Sequence, residues 1–340
     1  MKTPISSPCC DSAHSITRRD FLKTTASGLA VATAGSLPLL KPSLSHAAEV
    51  TKDQPETLVA TLYKSLTEAQ KTGGICFPFD HPLRSKVDNN WFITDKKVAQ
   101  FYTKDQQAMI REIFLGMHSP EYAEKVLQQV EHDSGRPGFG GCAVAFFGEP
   151  GTGKFEFVLT GRHVTRRCDG ESVEGEAFGG PIFYGHAARA DNEAADHPDN
   201  IYWYQAVRAN EVFKMLNGKQ REMALLGTGR KEEGTDTVKL TGKMTGLPGI
   251  PVTELTHDQK DLVRKVMSDV LAPFRKTDSD EALKLVELNG FDHLHLAFYK
   301  NQDIGNDGVW DVWQIEGPAM VWYFRGAPHV HTWVHIREKA

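Results

Sequence analysis

Apolar residues recur with helical spacing at several places in the chain. Capping-box pairs precede two of these segments: Thr103 with Gln106, and Thr256 with Gln259. A period near 3.6 residues places the apolar side chains on one face of each predicted helix. The apolar stripes lie at residues 58–69, 109–117, 123–130 and 262–271. A further helix is predicted over residues 205–226.

The pattern changes to period two in the middle of the chain and again at its end. Residues 143–147 are continuously apolar, and residues 155–160 alternate. Further strands are predicted near residues 172–178, 293–299, 309–315, 319–325 and 329–337. Because helices and strands are clustered, the sequence predicts an α+β fold, with N-terminal and central helices packed on a mainly antiparallel sheet. We expect a single domain, with the Gly-rich segment 227–249 as its only plausible seam.

Residues 148–154 read G-E-P-G-T-G-K, which is similar to the start of a phosphate-binding P-loop. That motif requires Ser or Thr next, to bind magnesium, and then a helix whose N-terminus faces the phosphates. Phe155 occupies the Ser/Thr position, and a period-two segment follows it. We therefore predict a tight turn between two strands and no nucleotide site.

The N-terminus resembles a twin-arginine export signal. Residues 17–23 read T-R-R-D-F-L-K, a weakly apolar run covers residues 24–40, and Ser45-His46-Ala47 matches a small-x-Ala cleavage site. The resemblance implies a signal peptide at residues 1–47, a domain at 48–340, and the twin-arginine export machinery as a partner. The apolar run is too short and polar for a stable membrane span. We expect a periplasmic or secreted protein.

Charge and cysteine content narrow the function further. The whole chain carries a formal net charge of −5, and the predicted signal removes more basic than acidic residues. An acidic chain has no electrostatic reason to bind nucleic acid. Only Cys76, Cys142 and Cys168 lie beyond the signal, so at most one disulfide can form and the protein is no disulfide scaffold.

Histidines are the strongest candidates for chemistry. His329 and His331 share one face of the last predicted strand, and such a His-x-His pair can chelate Zn²⁺, Cu²⁺ or Fe²⁺. His163 is predicted on the buried strand face that carries Leu159, where it needs a polar partner. The alternative to a metal site is a strand face whose histidines are half-solvated or hydrogen-bonded. This alternative is favoured for the pair His293 and His295.

Several segments, in order, resemble the family catalogued as domain of unknown function 3500 (DUF3500). The resemblance covers residues 77–337 and implies little about activity. Its first His position is Arg162 in this chain, so a site that uses that histidine would be altered. The matching segments are Arg84, Asn90-Trp91-Phe92, residues 106–130, Gly161-Arg162-His163-Val164, residues 181–185, residues 220–224 and His329-Val330-His331-Thr332.

Two functions follow from these patterns. The first is an exported metal-dependent enzyme with His163, His329 and His331 as ligands of a divalent transition metal. Glu316 or Asp292 would supply a carboxylate ligand or general base. The alternative is a non-catalytic protein that binds a small molecule in a groove lined by aromatic side chains. Those side chains are Trp310, Trp313, Trp322, Tyr323 and Trp333.

Overall fold

The structure, a computed structural model, describes residues 54–189, 193–300 and 308–340. The twin-arginine motif and the cleavage site predicted after Ala47 lie outside these ranges. The chain from Thr51 to Ala340 forms one compact unit. Within the ranges described, no helix is both long enough and apolar enough to cross a membrane.

One mixed sheet organises the described residues, and its order is β1-β2-β3-β4-β5-β11-β10-β9-β8-β6, with β7 paired to β8. All neighbouring pairs are antiparallel except β1 with β2 and β6 with β8. The strands are β1 (Cys76–Phe77), β2 (Ala143–Gly148), β3 (Phe155–Gly161), β4 (Val164–Cys168), β5 (Ile182–His186), β6 (Leu225–Leu226), β7 (Ile250–Pro251), β8 (His295–Tyr299), β9 (Val312–Gly317), β10 (Met320–Arg325) and β11 (Val330–Ile336).

Helices pack against this sheet through their apolar faces, which confirms the predicted α+β fold. The capping boxes at Thr103 and Thr256 form as predicted, with each threonine hydroxyl accepting from the backbone N–H three residues on. The helices are α1 (Pro55–Ser65), α2 (Glu68–Gln70), α3 (Val98–Phe101), α4 (Lys104–Gly116), α5 (Ala123–Ser134), α6 (Tyr204–Met215), α7 (Gly218–Ala224), α8 (His257–Leu271) and α9 (Lys276–Asn289).

The P-loop-like segment joins two antiparallel strands. Gly148 at the end of β2 pairs with Phe155 at the start of β3, and no helix follows the lysine. Gly148 has a φ of 70°, and an added Cβ would collide with the backbone carbonyl oxygen of Lys154. The segment is therefore the strand-to-strand turn that the sequence predicts.

The structure corrects two of the predicted elements and adds one helix. The strand predicted at residues 172–178 is not there; β4 lies earlier, directly after the two-residue turn that ends β3. The single helix predicted over 205–226 divides into α6 and α7, because Asn217 caps a new helix through its side chain. The helix α9 was not predicted, since its apolar face is short.

The aromatic side chains proposed to line a groove are mostly part of the core. Trp313, Trp322 and Trp333 are 0% exposed, and Tyr323 is 2% exposed. Trp310 is only partly buried and packs against the core. A buried sheet core leaves these rings no contact with a ligand, so the predicted aromatic groove is not formed. Cys76, Cys142 and Cys168 are free thiols.

Candidate metal centre

The sheet register brings three histidines together from distant parts of the sequence. His329 immediately precedes β11, and His331 lies within it, opposite Gly185 of β5. The strand β5 also pairs with β4, whose first residue follows His163. The β3–β4 hairpin therefore delivers His163 to the start of β11.

His163 lies in a two-residue turn between β3 and β4, with a φ of 52°. The sequence placed it on the face of a continuing strand, which is wrong because β3 ends at Gly161. The left-handed backbone is uncommon for a residue with a side chain and is often associated with functional sites. Here the left-handed residue is His163, whose imidazole contacts His331 of β11.

Gly185 provides the space in which the imidazoles meet. A Cβ at this position would collide with the carbonyl oxygen of Val330 and would lie 3.4 Å from Cδ2 of His331. Any larger residue would therefore crowd β11 and the His331 ring. The absence of a side chain here is one reason why His163 can approach His331 from across β5.

The Nε2 atoms of the three histidines converge. Nε2 of His331 lies 3.2 Å from Nε2 of His163 and 3.0 Å from Nε2 of His329. One ligand atom from each of the three residues lies within 4.8 Å of the other two. His163 and His331 are buried, whereas His329 is half-buried and forms the solvent side of the cluster.

Two carboxylates hold the outer nitrogens of the buried rings. Nδ1 of His163 lies 2.8 Å from Oδ2 of Asp133, and Nδ1 of His331 lies 2.7 Å from Oε2 of Glu232. An ionised carboxylate only accepts hydrogen bonds, so these two contacts favour the tautomers that carry the proton on Nδ1. In those tautomers Nε2 presents a lone pair. Carboxylate–histidine pairs of this kind orient the metal-ligating histidines of many proteins.

Arg325 is the main cation beside the cluster. Its Nη2 lies 2.6 Å from Nδ1 and 3.0 Å from Nε2 of His331, while its Nε lies 3.1 Å from Oε1 of Glu232. Nη2 of Arg325 is thus within hydrogen-bond distance of both ring nitrogens of His331, and the guanidinium also pairs with Glu232.

The electrostatic environment lowers the pKa of His329 and of His331. Burial, together with the neighbouring His331, His163 and Arg325, lowers the pKa of His329 to about 3. Burial, and then Arg325 and His163, lowers the pKa of His331 well below its ordinary value. Neutral imidazole is the form that binds a metal.

The structure does not bring the two predicted carboxylates to the histidines. Glu316 accepts from Arg230 and from Gln314, which lies 2.7 Å away. It lies four residues along β9 from Val312, the residue in register with Arg325 and thus with His331, a displacement of roughly 13 Å. Asp292 lies in a 3₁₀ turn and pairs with Lys260 at 2.7 Å. Neither can serve this cluster.

The carboxylates that do serve it, Asp133 and Glu232, were not predicted. Asp133 lies in the last turn of α5, where the helix dipole disfavours a negative charge, and it is only 4% exposed. An acidic residue in the last turn of a predicted helix could have indicated a functional role, because the helix dipole does not favour it there. Glu232 lies in the polar segment 227–249, and nothing in its sequence distinguishes it from its neighbour Glu233.

A second histidine cluster adjoins the first through Asp133. His132, Asp133 and His186 also offer ligand atoms within 4.8 Å of one another. Oδ1 of Asp133 accepts from the backbone N–H of Ala187 at 3.1 Å and from Nε2 of Gln129 at 2.8 Å. The Asp133 carboxylate thus connects the two clusters. Its Oδ2 binds His163 of the first, and its Oδ1 binds Gln129 and Ala187, which contact the histidines of the second.

Comparison with known proteins identifies the family. The chain belongs to the family described as "Protein of unknown function (DUF3500)", which matches residues 48–339. This confirms the resemblance seen in the sequence. No curated protein and no solved structure matches the chain significantly.

Proposed function

We propose that this protein is an exported metal-dependent enzyme that holds Zn²⁺, Cu²⁺ or Fe²⁺ through His163, His329 and His331. The observation that carries the proposal is the 3.2 Å contact between Nε2 of His163 and Nε2 of His331, whose rings are both held at Nδ1 by a carboxylate. A proton on His329 can satisfy its own contact with His331. In the tautomers with a proton on each Nδ1, a cation between the Nε2 atoms of His163 and His331 satisfies the other contact.

The spacing of the nitrogens suits a first-row transition metal. Tetrahedral bonds of about 2.0 Å separate two nitrogen ligands by about 3.3 Å. The two observed contacts, 3.0 and 3.2 Å, are close to that value. A small outward movement of the half-buried His329 would admit the ion. Imidazole ligands suit zinc, copper and iron alike, so the ligand set leaves the choice among them open.

Three protein ligands favour a catalytic centre over a structural one. Structural zinc sites fill all four positions with protein groups, whereas catalytic sites keep one for water or substrate. Here the fourth position would lie on the side of His329, which is the solvent side of the cluster. A metal there would supply Lewis acidity or an activated water. Asp133 and Glu232 would orient the ligands and raise their basicity.

Metal analysis of protein purified from an exporting host tests this assignment. We expect about one zinc, copper or iron per chain. Chain stripped with a chelator should regain one equivalent on titration, with a rise in thermal stability, because binding to the native state adds to the free energy of unfolding. A folded chain that takes up none of the three metals would contradict the proposal.

Export rests on the motif at residues 17–23 and can be tested separately. We expect the double substitution Arg18→Lys and Arg19→Lys to leave an unprocessed precursor in the cytoplasm, because the export receptor recognises the arginine pair. Cell fractionation and N-terminal sequencing measure the outcome. A mature N-terminus remote from Ala48 would contradict the cleavage site, and normal export of the double variant would contradict the route.

A further inference from the structure

A solvent-open cleft of about 430 Å³ adjoins the histidine centre on the far side of His163. Asp133, whose carboxylate accepts from the His163 ring, lines this cleft, and so does Arg162, the other residue of the β3–β4 turn. The turn is therefore a wall that the cleft and the centre share. A ligand in the cleft would therefore contact Arg162 and Asp133, which adjoin and bind His163.

Three cations line the cleft: Lys97, Arg136 and Arg162. No ion pair joins any of them to a carboxylate in the part of the chain that the structure describes. The side chains of Arg136 and Arg162 are exposed. Three positive groups without a carboxylate partner around one opening favour an anion.

Asp133, the one acidic side chain among the residues that line the cleft, does not offset the three cations. Oδ2 of Asp133 accepts from His163, and Oδ1 accepts from Gln129 and the backbone of Ala187. Its side chain is 1% exposed, so both oxygens are directed into the protein and away from the opening. The cleft therefore presents an excess of positive charge, with two guanidinium groups suited to planar oxyanions.

An apolar surface and an amide complete the opening. Phe92 is 45% exposed, one of the few large apolar side chains left at the surface among the described residues, and the Lys97 ammonium lies over its ring. Asn90, with a φ of 48°, also lines the cleft. An exposed ring beside cations suits a ligand that carries both an apolar or aromatic body and an anionic group.

We propose that this cleft binds a small aromatic or apolar carboxylate, with Arg162 and Arg136 on the carboxylate and Phe92 against the body. Its identification as the substrate class of the metal centre rests on the function proposed above. The binding itself does not, because every residue that carries it lies outside the three metal ligands.

Calorimetric titration of the full chain tests the proposal with three probes: benzoate, its neutral analogue benzamide, and inorganic phosphate. We expect saturable binding of benzoate and none of benzamide. Arg162→Gln and Arg136→Gln should each weaken benzoate about ten-fold, the loss of one charge-assisted contact. Arg136 lies outside the turn, so its variant answers the objection that Arg162→Gln merely moves His163. The control Arg111→Gln, at an exposed residue paired with Glu131, should bind as the wild type does.

Equal benzoate affinity in the wild type and both cleft variants would overturn the proposal, as would the absence of saturable benzoate binding. Phosphate binding without benzoate binding would also overturn it, since the site would then recognise inorganic anions. Titrations with chelator-treated chain separate the two proposals. Benzoate binding by metal-free chain upholds the cleft even if the centre takes up no metal, and metal uptake without benzoate binding upholds only the centre.

Discussion

The two histidine clusters of this protein are close neighbours with similar spacing, yet their hydrogen bonds differ. In the cluster of His163, His329 and His331, the carboxylates hold the outer nitrogens, and Nε2 atoms meet at the centre. In the cluster around His186, every ring nitrogen faces a partner already. Nδ1 of His186 lies 2.9 Å from Oε1 of Gln129, and Nε2 lies 2.5 Å from Oε1 of Glu193.

His132 completes that second cluster in the same way. Its Nδ1 accepts from Nε of Arg189 at 3.0 Å, and its Nε2 donates to the carbonyl oxygen of Ala187 at 2.9 Å. Both nitrogens of His186 face oxygen atoms of neighbouring side chains. Each ring nitrogen of the second cluster therefore has a hydrogen-bond partner other than a histidine. The two clusters thus have similar distances between ligand atoms but different hydrogen-bond partners, and we expect only the first to bind a metal.

The largest expected effect comes from removing a histidine of the first cluster. For His331→Ala we expect zinc affinity to fall by about 100-fold or more, because a three-nitrogen site loses a central ligand. The wild type at zinc about 1,000 times above Kd should gain about 4 kcal/mol of unfolding free energy, and the variant should lose about 2.7 kcal/mol or more of this gain. Zinc titration and thermal unfolding with and without zinc measure both quantities.

His186→Ala is the matched control, since it removes a buried imidazole that touches the same carboxylate network. It should keep zinc affinity near that of the wild type, although the loss of buried hydrogen bonds should cost about 1–3 kcal/mol of stability. If His331→Ala does not fold, His329→Ala tests the same site, because the His329 side chain is only half-buried. If His186→Ala abolished zinc binding and His331→Ala did not, the roles of the clusters would be reversed.

A smaller effect should follow from Glu232→Gln, which changes the tautomer control of one ligand and leaves all three histidines in place. A carboxamide no longer fixes the proton on Nδ1 of His331, so we expect zinc affinity to fall about 10- to 100-fold. Glu233→Gln, at the exposed neighbour, is the control. Equal zinc affinity in the two variants would mean that Glu232 serves only its pairs with Arg325 and Trp333.

The sequence predicts the parts of the molecule whose causes are local. Capping boxes, apolar periodicity and the failed P-loop pattern were sufficient for the α+β fold and for the turn after Gly148. The His-x-His spacing of β11 and the family resemblance selected the three histidines that converge. The causes of the remaining features are non-local. The position of Glu232 opposite His331 follows from how a polar loop packs, and no period in the sequence encodes that.

The false selection of Glu316 has the same origin. It lies on β9, two strands from β11 in the same sheet, so a reading of the strands alone places it near the histidines. The register decides otherwise, because His335, and not His331, lies in the row that contains Val321 and Glu316. A sheet register depends on the turns and on pairing across many strands, which a single sequence does not specify.

His335 gives the smallest expected effect and the sharpest control for the strand itself. It lies on β11 four residues beyond His331, but its Nδ1 lies 3.1 Å from the carbonyl oxygen of Val238 and its Nε2 lies 2.8 Å from Oε1 of Glu176. His335→Ala should leave zinc affinity unchanged and cost about 1 kcal/mol of stability, the contribution of an ordinary hydrogen-bonded side chain. Parallel zinc and urea titrations measure both. A drop in zinc affinity comparable with that of Glu232→Gln would show that the centre depends on the whole histidine face of β11, and the division between converging and satisfied histidines would no longer explain which of them bind metal.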